Sequence, residues 1–261
     1  MYGAVTPTAA FLMAALGALL GLRCLTRALH HTSAFRPGWL MLGAAAIGCG
    51  MWISHSVAMM GFSVGDASVT YDENRALQGL GVTVAVVGVG LFVAGYFGRS
   101  LAGLGAAGLL TGAGAVVVHV AGMSAVHTAG HLRPDPAMVV LSAVVAVTAA
   151  TAALWAAMRL RAARSQLVAG PVLAAAATGT HYTALYAVTY RPASGAGQTY
   201  GHPSVPALLP LLTAPVFVLL LTAFVLALDP FVHGGETLRA EPSPAPEQGT
   251  GTPPSLRGSQ V

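Results

Sequence analysis

Charged side chains are so widely spaced along this chain that seven long windows contain none. A helix that crosses a bilayer needs about 20 mostly apolar residues, and each window supplies them. The windows are 2–22, 37–65, 76–98, 100–132, 136–158, 165–190 and 192–228. The pattern therefore predicts an all-α membrane protein with seven transmembrane helices, at approximately 7–28, 39–62, 76–98, 101–124, 137–159, 167–189 and 207–228.

Histidines interrupt the apolar pattern at a regular interval. His55, His119 and His181 lie on the second, fourth and sixth predicted helices, and the two intervals between them are nearly equal. Recurrence at a fixed period indicates a repeated structural unit, so the sequence predicts three copies of a two-helix unit. An ionisable residue inside a membrane helix is a functional hypothesis by default.

Methionines accompany these histidines at helical spacing. Met59 and Met123 each follow a histidine by four residues, whereas Leu185 takes the corresponding place in the third repeat. Residues four apart lie on one face of a helix, and imidazole together with thioether sulfur suits copper and other soft or borderline metals. We therefore predict a metal site formed by His55, Met59, His119, Met123 and His181. Additional candidate ligands or neighbours are Met51, Met60, His127, His131 and Tyr182.

The composition agrees with a membrane protein, since 55% of the 261 residues are hydrophobic and 8% are charged. All 12 basic residues are arginines, and they lie in or beside the predicted inter-helix loops and in the tail. The first, third and fifth loops hold seven of them and the second, fourth and sixth hold three. Because cytoplasmic loops are enriched in arginine, we predict an outside N-terminus, a cytoplasmic C-terminus and a metal site in the outer half of the membrane.

The chain divides into residues 1–230, the membrane domain, and residues 231–261, which we expect to be a disordered cytoplasmic tail. The tail is rich in Gly, Pro, Ser, Glu and Thr, a composition that does not build a packed core. It is too short for a kinase, cyclase or phosphodiesterase domain. No signature of a nucleotide-binding loop, a zinc protease or a serine hydrolase is present. We therefore expect a protein that is not an enzyme and does not bind nucleic acid.

Small residues recur four apart within the charge-free windows. Such pairs let membrane helices approach closely, and we interpret them as packing positions. They are Gly17 and Gly21, Gly61 and Gly65, and Gly108 and Gly112.

Three histidine-centred motifs on alternate helices of a seven-helix protein resemble the MHYT-domain family of bacterial integral membrane sensors. The resemblance covers about residues 5–230. The residues that carry it are Trp52, His55, Met59 and Met60 in the first motif, His119, Gly122 and Met123 in the second, His181, Tyr182 and Thr183 in the third, and Tyr71-Asp72 after the second helix.

The resemblance implies a copper site of His and Met near the outer face, and a sensor of oxygen, carbon monoxide, nitric oxide or redox state. It also implies a signalling partner in the cytoplasm or membrane, here of unknown identity. We expect a stand-alone member of the family, without an output domain. The chain departs from the family pattern in two further respects. Ser54, Val118 and Thr180 precede the histidines where the family has methionine, and Leu185 replaces a methionine.

The hypothesis is thus a multi-pass protein of the bacterial plasma membrane, in contact with lipid, that acts as a sensor through bound copper. Three other classes of protein are compatible with the same residues. A haem protein would use two of the histidines as axial ligands, a transporter would place the residues along a path for metal or a small molecule, and a structural subunit would bind neither metal nor haem.

Overall fold

Seven long helices and one short helix dominate the protein, as described by a computed structural model. The structure describes residues 5–30, 35–61, 70–127, 130–159, 163–186, 188–192 and 202–239. The helices are α1 (Val5–His30), α2 (Arg36–Met60), α3 (Glu73–Phe97), α4 (Leu101–Ser124), α5 (Pro136–Arg159), α6 (Ala163–Tyr186), α7 (Ser204–Leu211) and α8 (Thr213–Arg239).

Six segments of the described chain are helical, long and apolar enough to cross a membrane. Five of them are α1 to α5, and the sixth covers residues 208–228. The helix α6 is the polar exception among the long helices, since it contains Arg164 and Gln166 near its start and the run Thr178–Thr183 near its end. The prediction of an all-α, multi-pass membrane protein is confirmed.

The first six helices pack as a closed ring. Each helix packs against the next along the chain, and α6 returns to pack against α1. In addition, α2, α4 and α6 contact one another. The helix α2 is the most enclosed of the six candidate spans. This arrangement brings the three histidine-bearing helices of the predicted repeat together.

Glycines allow the closest approaches in this ring. A Cβ atom on Gly17 would lie 2.7 Å from the Cα of Gly50, and one on Gly112 would lie 2.6 Å from the Cα of Val147. Side chains of any size are therefore excluded where α1 meets α2 and where α4 meets α5. The packing role predicted for Gly17 and Gly112 is confirmed, whereas Gly65 lies outside the described residues.

Short strands follow α2, α4 and α6, where the sequence predicts loops. The strands are β1 (Thr70–Tyr71), β2 (Val126–His127), β3 (Gly130–Pro134), β4 (Val188–Pro192) and β5 (His202–Pro203). One antiparallel sheet has the order β2-β1-β5, and β3 pairs with β4. The hydropathy pattern missed these strands because each strand pairs with a segment remote in the sequence, as Thr70 does with His127.

The sixth and seventh predicted helices differ from the observed ones. The sixth helix was expected to reach residue 189 but ends at Tyr186, because Val188–Pro192 forms the strand β4. The seventh was expected as one helix over 207–228, but α7 and α8 are separate. Pro215 has no backbone N–H to bond the carbonyl of Leu211, and Thr213 instead donates from its hydroxyl to Pro210 O at 2.7 Å.

Backbone contacts divide the chain into two units, residues 1–226 and 227–261. The helix α8 ends at Arg239, eleven residues after the predicted end at 228. Residues 240–261 lie outside the described residues, so the disordered tail stays a prediction.

Candidate metal centre

His55, His119 and His181 occupy equivalent places on three helices. Each lies five residues before the last residue of its helix, on α2, α4 and α6 respectively. All three side chains are buried. The regular interval in the sequence therefore becomes a common depth in the bundle, and the three imidazoles face one interior.

The three rings form a compact cluster. The Nδ1 atoms of His55 and His181 are 3.0 Å apart, and those of His119 and His181 are 3.3 Å apart. One nitrogen of each ring can be chosen so that all three lie within 4.8 Å of one another. The rings meet edge to face, with centroids 4.8 to 5.8 Å apart.

The hydrogen bonds inside this cluster leave polar atoms without a partner. A neutral imidazole has one donor and one acceptor nitrogen, and His181 Nδ1 takes part in both short contacts. His55 Nε2 and His181 Nε2 are buried and bond to none of the described residues. Buried polar atoms normally have partners, so these two nitrogens have hydrogen-bonding or ligating capacity that the described residues do not use.

The separations fit the ligand set of one metal ion. Imidazole nitrogens bind a metal such as zinc at about 2.0–2.1 Å, which places two ligands of a tetrahedral ion roughly 3.3 Å apart. The measured values of 3.0 and 3.3 Å agree with that spacing. Among the histidine, cysteine and carboxylate side chains of the described residues, these three histidines are the group close enough to share an ion.

A small cavity adjoins His55. Its volume is about 10 Å³, comparable to the space of one water molecule. Its walls include Trp52, Met59, Tyr71 and Leu208. The Tyr71 hydroxyl is buried without a hydrogen-bond partner among the described residues, and burial raises the pKa of Tyr71 above its usual value. This hydroxyl therefore stays protonated and able to donate a hydrogen bond.

Hydrogen bonds join the ends of the helices near the histidines. Trp52 Nε1 donates to Ala76 O at 3.0 Å, which ties α2 to α3. Asp72 caps α3 by accepting from Arg75 N at 3.1 Å, and Arg75 Nη1 donates to Ser124 O at 3.2 Å. Asp72 N donates to Ala125 O at 2.9 Å. These bonds connect the start of α3 to α2 and to the end of α4.

The predicted methionines lie on the same helices as their histidines. Met51 and Met59 are buried on α2, and Met60 and Met123 are half-buried against the core. Met59 shares the small cavity with His55. Whether their sulfur atoms bind a metal stays a prediction.

The remaining candidates have different surroundings. Tyr182 is half-buried with its ring centroid 5.1 Å from that of His181. His127 and His131, two of the additional candidates, lie beyond the end of α4 at Ser124, on the strands β2 and β3. Whether they bind a metal stays a prediction. His127 Nδ1 is buried without a partner among the described residues.

Some residues that shape the centre were not predicted to do so. Gly122 lies against His55, and a Cβ atom there would overlap His55 Nε2. Trp52, Tyr71 and Gly122 belong to the recurring motifs, but the motifs alone do not reveal their contacts. Leu208 comes from α7, and nothing in its local sequence marks it as a neighbour of His55.

The fold and this centre define a class: a multi-pass helical membrane protein with a buried cluster of three histidines that could bind a metal. The family model MHYT, described as a bacterial signalling protein N-terminal repeat, matches residues 112–170. The matched region contains His119 and runs from α4 through α5 into α6. The resemblance to the MHYT family that the motifs predicted is thus supported by a family match over residues 112–170.

Curated relatives are bacterial signalling proteins. An uncharacterized signaling protein of Caulobacter vibrioides is 35% identical over 157 residues, which is 60% of this chain and 19% of the relative. The bifunctional diguanylate cyclase/cyclic di-GMP phosphodiesterase MucR of Pseudomonas aeruginosa is 33% identical over 58% of this chain and 23% of its own length.

A third relative, the cyclic di-GMP phosphodiesterase NbdA of Pseudomonas aeruginosa, is 29% identical over 71% of this chain and 24% of its own length. The chain thus spans about a fifth to a quarter of the length of these relatives. No solved structure matches it.

Proposed function

We propose that this protein is a membrane sensor whose input is a copper ion held by His55, His119 and His181. Met59 and Met123 would complete the ligand set, and a diatomic gas or a change in redox state would act at the ion. The observation that carries the proposal is the convergence of three buried imidazoles, with one nitrogen from each within 4.8 Å of the others.

The choice of copper rests on the chemistry around the imidazoles. Thioether sulfur selects soft ions such as Cu(I), whereas imidazole suits copper in either oxidation state. Met59 is buried and borders the same cavity as His55, and Met123 lies four residues after His119 on α4. A ligand set of this kind supports copper over the hard cations, which prefer oxygen ligands.

The cavity beside His55 supports a small second ligand. Its volume of about 10 Å³ suits a molecule of water size. Tyr71 borders this space, and its hydroxyl is a donor without a partner among the described residues. A gas molecule bound at the ion would find a hydrogen-bond donor and apolar walls within reach.

The same geometry argues against haem. A haem with two histidine ligands holds them on opposite faces of a large planar ring. Here the three imidazoles touch one another, with centroids no more than 5.8 Å apart. A macrocycle would have to separate helices α2, α4 and α6.

The comparisons support a signalling role. The matching family model is described as a repeat of bacterial signalling proteins, one relative is named a signaling protein, and two are named for the synthesis or breakdown of cyclic di-GMP. We propose that the state of the copper centre is passed to a signalling activity, either a partner in the membrane or cytoplasm or a domain of the kind those longer relatives contain.

The test is a competitive Cu(I) titration of detergent-purified protein. We expect His55→Ala, His119→Ala and His181→Ala each to lower the affinity by at least about 100-fold, because loss of an outer-shell partner alone typically costs 10- to 100-fold. His30→Ala is the matched control, since His30 lies exposed at the end of α1 with its Nδ1 atom 2.7 Å from Thr26 O.

Methionine variants test the choice of copper. Met59→Leu and Met123→Leu keep the volume roughly constant while removing sulfur, so they should weaken Cu(I) more than they lower the unfolding temperature. Met41→Leu is the control, because Met41 lies on the same helix as Met59 but is 62% exposed. Wild-type copper affinity in all three histidine variants would end the metal hypothesis.

A further inference from the structure

A second cavity is lined by arginines. Its volume is about 1020 Å³, at the upper end of the range typical of ligand pockets. The chain segments that form it include α1, the start of α2, the end of α3 with the following turn, and the end of α5. Its basic side chains are Arg23, Arg27, His30, Arg36, Arg99 and Arg159.

This cavity is separate from the histidine cluster. Arg36 is the first residue of α2, and His55 lies near the other end of the same helix. At about 1.5 Å of rise per residue, the two are roughly 28 Å apart along the helix axis. A ligand in this cavity therefore would not touch the candidate metal centre.

No carboxylate balances the positive charge in the described lining. The cavity is bordered by five arginines and by neither aspartate nor glutamate among the described residues. The sequence itself has no acidic residue between Met1 and Asp66. Like charges gathered in a concave site raise the local concentration of counter-ions.

Protein contacts hold two of the guanidinium groups in place. Arg36 Nε donates to Ala28 O at 3.1 Å, and its Cζ atom lies 5.5 Å from the centre of the Tyr96 ring. Arg159 Nη2 donates to Arg99 O at 3.2 Å. By contrast, the side chains of Arg23 and Arg99 are exposed and make no hydrogen bond or ion pair with the described residues. Their donors remain available to a ligand.

We propose that this cavity binds a phosphate-bearing anion, either the headgroup of an anionic lipid or a soluble phosphate compound. Guanidinium groups bind phosphate through paired, charge-assisted hydrogen bonds. The preference of cytoplasmic loops for arginine explains basic residues near helix ends. It does not require five of them, from three helices and one turn, to border one cavity whose described lining contains no acidic residue.

The test measures anion binding to the full chain in detergent by microscale thermophoresis. One arm titrates inorganic pyrophosphate, and the other adds mixed micelles containing phosphatidylglycerol or, for comparison, net-neutral phosphatidylcholine. The variant Arg23→Gln/Arg99→Gln should bind about 100-fold more weakly, at about tenfold for each charge-assisted hydrogen bond removed. The matched control is Arg75→Gln, at the start of α3, where the side chain is 56% exposed.

The two arms identify the source of the phosphate. Binding of pyrophosphate supports a soluble ligand, and preference for phosphatidylglycerol over phosphatidylcholine supports a lipid headgroup. The charge-conserving variant Arg23→Lys/Arg99→Lys should retain more affinity than the glutamine variant, and unfolding temperatures without ligand establish that each variant is folded. The proposal is overturned if neither anion binds the wild type, or if the folded double glutamine variant binds as tightly as Arg75→Gln.

Discussion

Gly122 shows how a single residue positions the candidate centre. It follows His119 by three residues on α4. A Cβ atom added to Gly122 would overlap His55 Nε2. The absence of a side chain at Gly122 is therefore what allows His55, from α2, to approach the ring of His119. Close approach of another group is a usual reason for glycine inside a helix.

We expect Gly122→Ala to displace the His55 ring and to weaken copper binding by about tenfold or more, as for other changes that disturb ligand orientation. Gly105→Ala is the matched control, because Gly105 lies on the same helix and has open space where its Cβ would be. Alanine there should leave copper affinity unchanged. Competitive Cu(I) titration of both variants measures the difference, and equal affinities would show that Gly122 does not position His55.

At the scale of elements, helix contact rather than helix propensity determines how the ring closes. Gly17 on α1 faces α2 so closely that an added Cβ would lie 2.6 Å from Ala46 O and 2.7 Å from Gly50 Cα. These neighbours are backbone atoms, which cannot move aside by changing rotamer. Small residues at such positions give membrane helices their van der Waals contact.

Gly17→Ala should therefore force α1 and α2 apart and destabilise the protein by about 1–3 kcal/mol, the usual cost of overpacking. Gly81→Ala on α3 meets no atom within 4 Å, so it should be neutral or stabilising by up to about 1 kcal/mol, the helix propensity difference between alanine and glycine. Thermal unfolding in detergent compares the two. A Gly17 variant as stable as the Gly81 variant would contradict the close packing.

At the scale of the whole molecule, the two proposed sites lie near opposite ends of α2. The histidines lie near the helix ends that the short strands follow, and the arginine-lined cavity lies at the other end. The arginine asymmetry predicts that the arginine-lined end faces the cytoplasm. In that orientation the candidate metal centre is near the outer face and the anion cavity near the inner one.

A reporter fused after residue 230 should therefore report the cytoplasm, and one inserted near Asp72 should report the exterior. The reason is the excess of arginine in and beside the first, third and fifth connections between helices, seven against three. Paired alkaline phosphatase and green fluorescent protein fusions measure both positions. A C-terminus outside the cell would reverse the predicted depth of both sites.

Much of the fold was accessible from local sequence properties. Seven charge-free windows predicted seven long helices, and most ends agree within a few residues, as for α4 at Leu101–Ser124. The errors fall where contacts between segments remote in the sequence determine the secondary structure. The strands β1 and β2 pair Thr70 with His127, although a whole two-helix unit separates them in the sequence. Such pairing leaves no trace in the hydropathy of either segment.

The sequence by itself determined that this is a multi-pass helical protein with three equivalent histidines, because charge spacing and periodicity act along the chain. Only the tertiary structure decided that the three imidazoles converge within 4.8 Å, that Gly122 makes room for His55, and that five arginines share one cavity. Those distances depend on how helices remote in the sequence pack against each other. The small residues that permit this packing have the same local sequence pattern whichever helix they face, so the pattern does not identify the partner helix.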